Sequence, residues 1–512
     1  MILSTNSFED PQSQRGFWQK TYGNFISKPP APLEDLIYQG WLSLPLSDGS
    51  WKKRYFVLTS KKLLYCKSQK DIRIRKEACI DWKILKPFYE IKKNSKAFGF
   101  KLQGSNNSQD FYVDSKDILE DWLSRLSPLT ILTDFDEDYS LQKEIGRGNY
   151  SKVFMAIEYL NRQPYAVKTI PKESQNQSFI DTLKSEIEVM RKIKHPRIIT
   201  LHYVYETEEA FHLVMDYVRG GELQRRLKMG KYPEHIAAAF MRNLLDVIDF
   251  LHNNGIVHRD IKPENILVLS GDNYTEFKLC DFGLSALLKQ TEDLSLRCGS
   301  PGFVAPEILR RQRYSTKVDL FSAGVICYIM LTGKYPFTGS SPNEILLKNR
   351  ECRIDFDLEE WNNISKLGRD FVMSLTQENP EQRPSAHEAL CHPWISGTHT
   401  TQQGLAIPEE MKNKGISLNL MQRQKKLNVE SSSYLQQFRR PAVPIKGFIP
   451  IKDNGITMAK SRLLMKILRE EDREGINEVK QIFDIKSNST RSKESQESTD
   501  ATPSRSRYLP VN

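Results

Sequence analysis

Twice along this chain a series of short runs alternating apolar and polar residues gives way to helical spacing. That switch of period, from two to about 3.6 residues, restricts the folds available. The first series spans about 36 to 128, with "YQGWLSL", "RYFVLT", "KLLYCK", "FGFKLQG" and "QDFYVDS" separated by Gly, Asn, Ser and Asp. It ends in "KDILEDWLSRLSPL", where Ile118, Leu119, Trp122, Leu123 and Leu126 share one face. Strands closed by one amphipathic helix predict a small β-barrel or sandwich with a C-terminal cap. The second series spans about 139 to 395. Strand-like "LQKEIGRG", "SKVFMAIEYL", "PYAVKTI" and "FHLVMDYV" precede helical "HIAAAFMRNLLDVIDFLHNN" and "STKVDLFSAGVICYIMLTG". Strands followed by helices predict an α+β domain or two lobes, so the fold class is multidomain α+β.

The flanks read differently. Residues 1–35 are polar, end in the proline-rich "SKPPAPLED", and are expected to be a flexible N-terminal segment. Residues 396–512 form a regulatory or largely disordered tail, Ser/Thr-rich at its end, with one possible helix in "ITMAKSRLLMKILREEDREGINEVKQIF". The seven cysteines are scattered, with no C-x-x-C pair, which argues against a zinc site or disulfide framework and for a reducing, cytoplasmic setting. No secretory signal and no membrane-spanning run is read. The net charge of +10 favours acidic partners: a phosphorylated ligand, an anionic membrane surface or nucleic acid.

Five short stretches carry chemistry. "EIGRGNYSKVF" sets Gly146 and Gly148 between two strand-like runs, where a hairpin backbone can approach phosphate oxygens. "YAVK" ends in Lys168, and "KSEIEVMRKI" puts Glu186 on a helix whose Ile187, Met190 and Ile193 share an apolar face. "VHRDIKPENIL" holds Arg259, Asp260, Lys262 and Asn265, and "LCDFGL" holds Asp281. Singly, each has a bland reading: a glycine turn, a solvated lysine, unrelated surface charges, a polar loop. Jointly and in this order they form the inventory of phosphoryl transfer. One carboxylate orients a hydroxyl, a second joins an amide oxygen on magnesium, and lysines offset phosphate charge.

With "APE" added, these motifs resemble a eukaryotic protein kinase over about half the chain. The resemblance implies ATP and Mg2+ as cofactors. It implies that Ile145, Gly146, Arg147, Gly148, Asn149, Tyr150, Ser151, Lys152 and Val153 cover the nucleotide, with Val153 on the adenine. Lys168 would contact phosphates and pair with Glu186. Met215 would be the gatekeeper, with Asp216 to Val218 the hinge. Asp260 would be the catalytic base, Lys262 would touch the transferred phosphate, and Asn265 and Asp281 would bind magnesium. Glu307 would pair with Arg383, Asp319 would anchor the catalytic loop, and Ser300 would bridge Asp260 and Lys262. Ser151 replaces the third loop glycine and Phe321 a common tryptophan, yet no catalytic group is missing.

"DIKPEN" resembles the serine/threonine type. Glu222 and Glu264 match acidic positions that imply protein substrates with basic residues before the acceptor, of the form Arg-x-x-Ser/Thr, and Leu284 leans toward serine; Glu222 would otherwise only hold a ribose. Arg259 beside the base implies control by activation-loop phosphorylation, with Thr291 and Ser295 as candidates. The alternative is a nucleotide-binding, pseudokinase-like scaffold. Nucleic acid is not expected, since no recognised module accompanies the charge.

"QGWLSLPLSDGSWKKRYFVLTSKKLLYCK" with Trp122 resembles a pleckstrin homology (PH) domain at 36–128, and the kinase catalytic domain is read at 139–395. Lys52, Lys53 and Arg54 suit an anionic membrane surface, whereas Leu44 stands where lipid-binding relatives carry lysine. A protein-binding or autoinhibitory module packed on the kinase lobe is the competing reading. "HPW" and "GSPGFVAPE" resemble the calcium/calmodulin-dependent group. The basic helix "MAKSRLLMKILR" (458–469) suits a calmodulin groove, or packing on its own domain.

Overall fold

The alternating runs of the first module become an antiparallel sheet, because period-two patterning gives each strand one apolar face to bury. The computed structural model describes residues 17–20, 35–46, 50–69, 71–92, 95–148, 150–172, 177–269, 274–287 and 299–397. Asn149, the candidate phosphosites Thr291 and Ser295, the 458–469 helix and the tail from 398 onward lie outside the described residues.

The strands are β1 (Gln19–Lys20), β2 (Leu36–Pro45), β3 (Trp51–Thr59), β4 (Lys62–Ser68), β5 (Asp71–Cys79), β6 (Ile84–Lys92), β7 (Ser95–Gln103) and β8 (Ser108–Val113), in the order β1-β5-β4-β3-β2-β8-β7-β6. Leu42, Phe56, Leu63, Leu85, Phe100 and Phe111 meet in one core although they come from across that order, so the sheet curls. Helix α1 (Lys116–Leu126) closes it with Leu119, Trp122, Leu123 and Leu126 buried. Ser115 caps the helix by accepting from the Ile118 N–H at 3.4 Å.

The segment expected to be flexible contributes to this module. Phe17 and Trp18 pack on Phe111, and Trp18 also meets Phe56 and Tyr65. The Trp18 indole N–H donates to Gln109 at 3.1 Å. Two aromatic residues amid polar ones carry no period, so sequence patterning missed them.

The second module begins with α2 (Phe135–Asp138) and a five-stranded sheet. Its strands are β9 (Tyr139–Arg147), β10 (Lys152–Glu158), β11 (Pro164–Pro171), β12 (Leu201–Glu206) and β13 (Ala210–Asp216), in the order β12-β13-β11-β10-β9, with α3 (Gln177–Lys192) packed on it. The helical lobe follows: α4 (Leu223–Leu227), α5 (Glu234–Asn253), short pairs β14 (Ile256–Val257) with β17 (Ala286–Leu287) and β15 (Ile266–Val268) with β16 (Phe277–Leu279), then α6 (Pro306–Leu309) and α7 (Lys317–Thr332). Residues 318 to 332 of α7 are buried without a break, so it is the lobe's central helix. Helices α8 (Pro342–Glu351), α9 (Lys366–Leu375), α10 (Ala386–Leu390) and α11 (Pro393–Ser396) complete the lobe. Among the described residues, no helix is long and apolar enough to cross a membrane.

The two sheets are stitched by the linker. The Ile131 N–H donates to Lys83 O and the Leu85 N–H to Ile131 O, at 2.9 and 2.8 Å. One residue on, the Leu132 N–H donates to Val204 O and the Glu206 N–H to Leu132 O, at 2.9 and 2.8 Å. Two linker residues thus pair with both sheets, and the core running from Trp122 through Leu132 and Phe135 to Tyr205 and Val214 is continuous.

Candidate active site

The roof of the cleft is the β9–β10 hairpin. The Gly148 N–H donates to Ser151 O at 2.8 Å and closes the turn. Gly146 lies opposite Val153, and Val153 opposite Lys168, so the three form a row across adjacent strands. Ile145, Ser151 and Val153 are half-buried, while Arg147, Tyr150 and Lys152 are exposed. Arg147 pairs with Glu144 at 2.8 Å, and the Tyr150 ring meets Phe179 of α3 edge-on.

Below the roof, Lys168 Nζ reaches Glu186 Oε1 at 2.6 Å and Asp281 Oδ1 at 3.8 Å. Burial pulls the ammonium pKa down, but the Glu186 and Asp281 carboxylates outweigh it and hold it above its ordinary value. Partial burial likewise pushes Asp281 up, and Lys168 and His258 override it, so the carboxyl stays below its usual range. A Cβ at Gly283 would stand 3.3 Å from Asp281 Oδ1 and 3.5 Å from Glu186 Oε2, so a glycine keeps the space between the two carboxylates open. Asp281 and Arg259 adopt left-handed φ values of 64° and 66°. Such conformations cost about 1–3 kcal/mol and persist where surrounding contacts over-determine them.

Those contacts are visible around the loop that carries Asp260. The Ser300 hydroxyl donates to Asp260 Oδ1 at 2.8 Å, and Lys262 Nζ donates to Ser300 Oγ at 2.7 Å. Lys262 Nζ also stands 2.7 Å from Asp260 Oδ2. The Asn265 amide N–H groups donate to Asp260 O and Oδ2 at 2.8 and 3.0 Å, which leaves the amide oxygen as an acceptor. Beneath, the buried Asp319 accepts from the His258 and Arg259 backbone N–H groups, each at 2.9 Å, and meets His252 Nε2 at 2.9 Å. Arg259 donates to Leu284 O at 2.5 Å and to the Tyr314 hydroxyl at 3.1 Å.

The remaining expected residues divide. The Asp216 carboxylate is taken up by the Thr200 N–H at 3.1 Å, His202 Nε2 at 2.7 Å and Lys278 Nζ at 3.0 Å. Burial raises its pKa, but these hydrogen bonds outweigh that and hold it well below the carboxylate range. Its side chain is therefore a structural pin, and a ligand could use only its backbone. Val218 packs against the helical-lobe core. Glu222, half-buried, precedes α4, and the exposed Glu264 lies in the neighbouring turn Pro263–Asn265. Glu307 and Arg383 pair at 2.8 and 3.2 Å, both buried, with the guanidinium over the Phe321 ring.

Sequence reasoning gave no role to His258, His252, His202, Lys278 or Gly283. His258 was in view within "VHRD", but only the fold shows its ring 3.2 Å from Cys280 O.

The protein kinase domain family matches residues 139–395 and the PH domain family residues 36–130. The chain is similar to myosin light chain kinase A of Dictyostelium discoideum, 37% identical over 52% of this chain and 92% of that one. It is similar to calcium/calmodulin-dependent protein kinase type 1 of Caenorhabditis elegans, 40% identical over 53% of this chain and 79% of that one. It is also similar to serine/threonine-protein kinase PEPKR2 of Arabidopsis thaliana, 37% identical over 56% and 60%. Cleft geometry, family match and relatives agree: the chain belongs to the protein kinase family, as an enzyme of the serine/threonine type, and carries a PH domain ahead of its catalytic lobes.

Proposed function

We propose that this kinase transfers the γ-phosphoryl group of ATP to serine and threonine hydroxyls of protein substrates, preferring an arginine three residues before the acceptor. The observation that carries the reading is the closed ring of Asp260, Ser300 and Lys262, steadied by Asn265. In this reading Asp260 orients the acceptor hydroxyl and takes its proton. Lys262 steadies the transferred phosphoryl oxygens, and Lys168, aimed by Glu186, holds the α- and β-phosphates. The residues Ile145 to Val153 cover the nucleotide, with the Asp216–Val218 backbone beside the adenine.

The Asn265 amide oxygen and the Asp281 carboxylate are hard donors that fit Mg2+. The fit is supported by the Asn265 N–H groups being spent on Asp260. When bound, the ion neutralises charge on the phosphate oxygens. Asp281 is kept ionised for that task by Lys168 and His258.

Glu222 and Glu264 lie on neighbouring elements beside the cleft and supply the acidic charge for the substrate arginine. Residues 36–128 act as a docking module for an anionic membrane surface or a protein, and the kinase works in the cytoplasm and at such a surface. Lys52 is the exposed cation for it and Arg54 a half-buried one, while Lys53 is paired to Asp114 at 2.5 Å and Leu44 lies opposite Lys52. The tail from 396 is regulatory, and 458–469 is the segment to test with calmodulin.

The test is phosphate transfer from Mg-ATP to an Arg-x-x-Ser peptide, by wild type and Asp281→Ala, with and without calcium-calmodulin. Transfer by the wild type alone is expected. Replacing the peptide arginine by alanine is expected to lower kcat/KM about tenfold, equivalent to ~1.4 kcal/mol, with a smaller penalty in Glu222→Ala. Silence across a broad peptide panel, with Mg-ATP bound, would hand the lead to the scaffold reading.

A further inference from the structure

The helix that carries Glu186 is held from three sides, one of them the helical lobe, where Val189 and Met190 join its core and Lys192 donates to Asn254 O at 3.0 Å. Its inner face, Leu183 and Ile187, packs on Ile170, Val204, Phe211 and Leu213 of its own sheet. The same cluster contains Ile84 of the PH module and Ile131 of the linker, with Trp82 against it. At the last turn of α3 the Arg191 guanidinium donates to Asp81 O at 2.9 Å and to Thr130 O at 2.7 Å, and lies 5.4 Å from the Trp82 ring centre. A planar fork satisfying two carbonyls from two separate segments fixes position more tightly than an ammonium would. Cationic charge at a helix C-terminus is also favourable in itself.

We propose that Arg191 is a positioning residue for the kinase reaction: it anchors α3 to the PH module and so keeps Glu186 in reach of Lys168. This rests on the catalytic reading above, in which the Lys168–Glu186 pair aims the lysine. Arg191 is five positions after Glu186 on one helix, so movement at its end is carried to the carboxylate as a rigid-body shift. The docked PH module coexists with a formed ion pair of 2.6 Å. Docking in this arrangement is therefore compatible with the assembled site.

The geometry also separates two PH surfaces. Strand β3 runs from Trp51, beside Lys52 to Arg54, to Thr59 at the other end. At that far end Ile80 bonds Lys61 O, next to the Asp81–Lys83 corner that meets the kinase. Nine residues of strand span roughly 30 Å. The basic hairpin thus points away from the kinase contact, and engagement of an anionic surface there leaves the α3 anchor in place.

The test measures kcat and peptide KM per folded molecule for the full chain, with Arg191→Ala, Trp82→Ala and the double variant beside Asp281→Ala as the inactive reference. Arg191→Ala is expected to lower kcat about tenfold, within the range of ordinary coupling between sites, with peptide KM unchanged. Trp82→Ala should lower kcat less, and the double variant should fall short of the product of the two, because both remove one contact. Arg191→Lys should recover only part of the loss. An unchanged kcat per folded molecule in Arg191→Ala, or independent effects of the pair, would overturn the proposal while leaving the catalytic reading intact. A wild type no more active than Asp281→Ala would overturn that reading and this proposal with it.

Discussion

Helices α1 and α3 are the same device used twice, an amphipathic helix laid on an antiparallel sheet, yet they are held differently. Helix α1 draws its fixings from its own module: the Ser115 cap, the fully buried Trp122 and the barrel core. Helix α3 packs one face on its own sheet, joins the helical-lobe core through Val189 and Met190, and reaches outside its domain to Ile84, Ile131 and Trp82 and, through Arg191, to Asp81 and Thr130. Helix α1 closes the PH core, and meets the kinase sheet only through the continuation of that core by Leu132 and Phe135. A helix that depends on a neighbour can report that neighbour's state to the site it carries, here through Glu186 to Lys168.

The comparison breaks most severely at Trp122. Its replacement by alanine removes the largest buried side chain of the PH core and is expected to cost about 3–5 kcal/mol. Because α3 leans on that module, kinase activity should fall together with PH unfolding, although no kinase residue has changed. Paired near-ultraviolet melts and activity assays would check this, and full activity with a melted PH module would break the comparison.

A smaller effect tests the linker between the helices. His212 of β13 stacks on Phe135 of the linker helix at 4.1 Å, and burial lowers its pKa to about 4. The folded state therefore favours neutral imidazole. Stability from this site is complete above the unfolded value near 6.5, declines as pH falls, and levels off below about 4. The full swing is roughly 3 kcal/mol. Denaturant melts of wild type against His212→Gln should show the difference shrinking across that window. A constant difference from pH 7 to pH 4 would contradict it.

The smallest effect sharpens the contrast from the α1 side. Ser115→Ala should destabilise the PH module by about 1 kcal/mol and leave kcat unchanged, since that cap touches only α1. A change in kcat would mean that α1 also communicates with the cleft.

Much of this was legible in the sequence because it is local or ordered along the chain. Alternation located five strands of the first module, and the motif order around Gly146, Lys168, Asp260 and Asp281 located the cleft. Strands β5 and β6 escaped: "DIRIRKEAC" is dominated by charge, and "ILKPFYEIK" carries Pro87, which argues against a strand interior. The stitching by Ile131 and Leu132 escaped too, because two residues show no period. Arg191 sits in a basic last turn of α3 and reads as a solvated charge, until the fold brings Asp81 and Thr130 to it from far along the chain. Asp216 illustrates the converse: its place in the motif order suggested a ligand contact, while its carboxylate is committed to Thr200, His202 and Lys278.

The most direct measurement is amide hydrogen exchange over residues 116–126 and 177–192 in the wild type and in Arg191→Ala. The account predicts faster exchange toward the end of 177–192 in the variant, with 116–126 unchanged. Unaltered protection of 177–192 would contradict it, as would an equal loss in both helices, since then α3 would not depend on the PH module through Arg191.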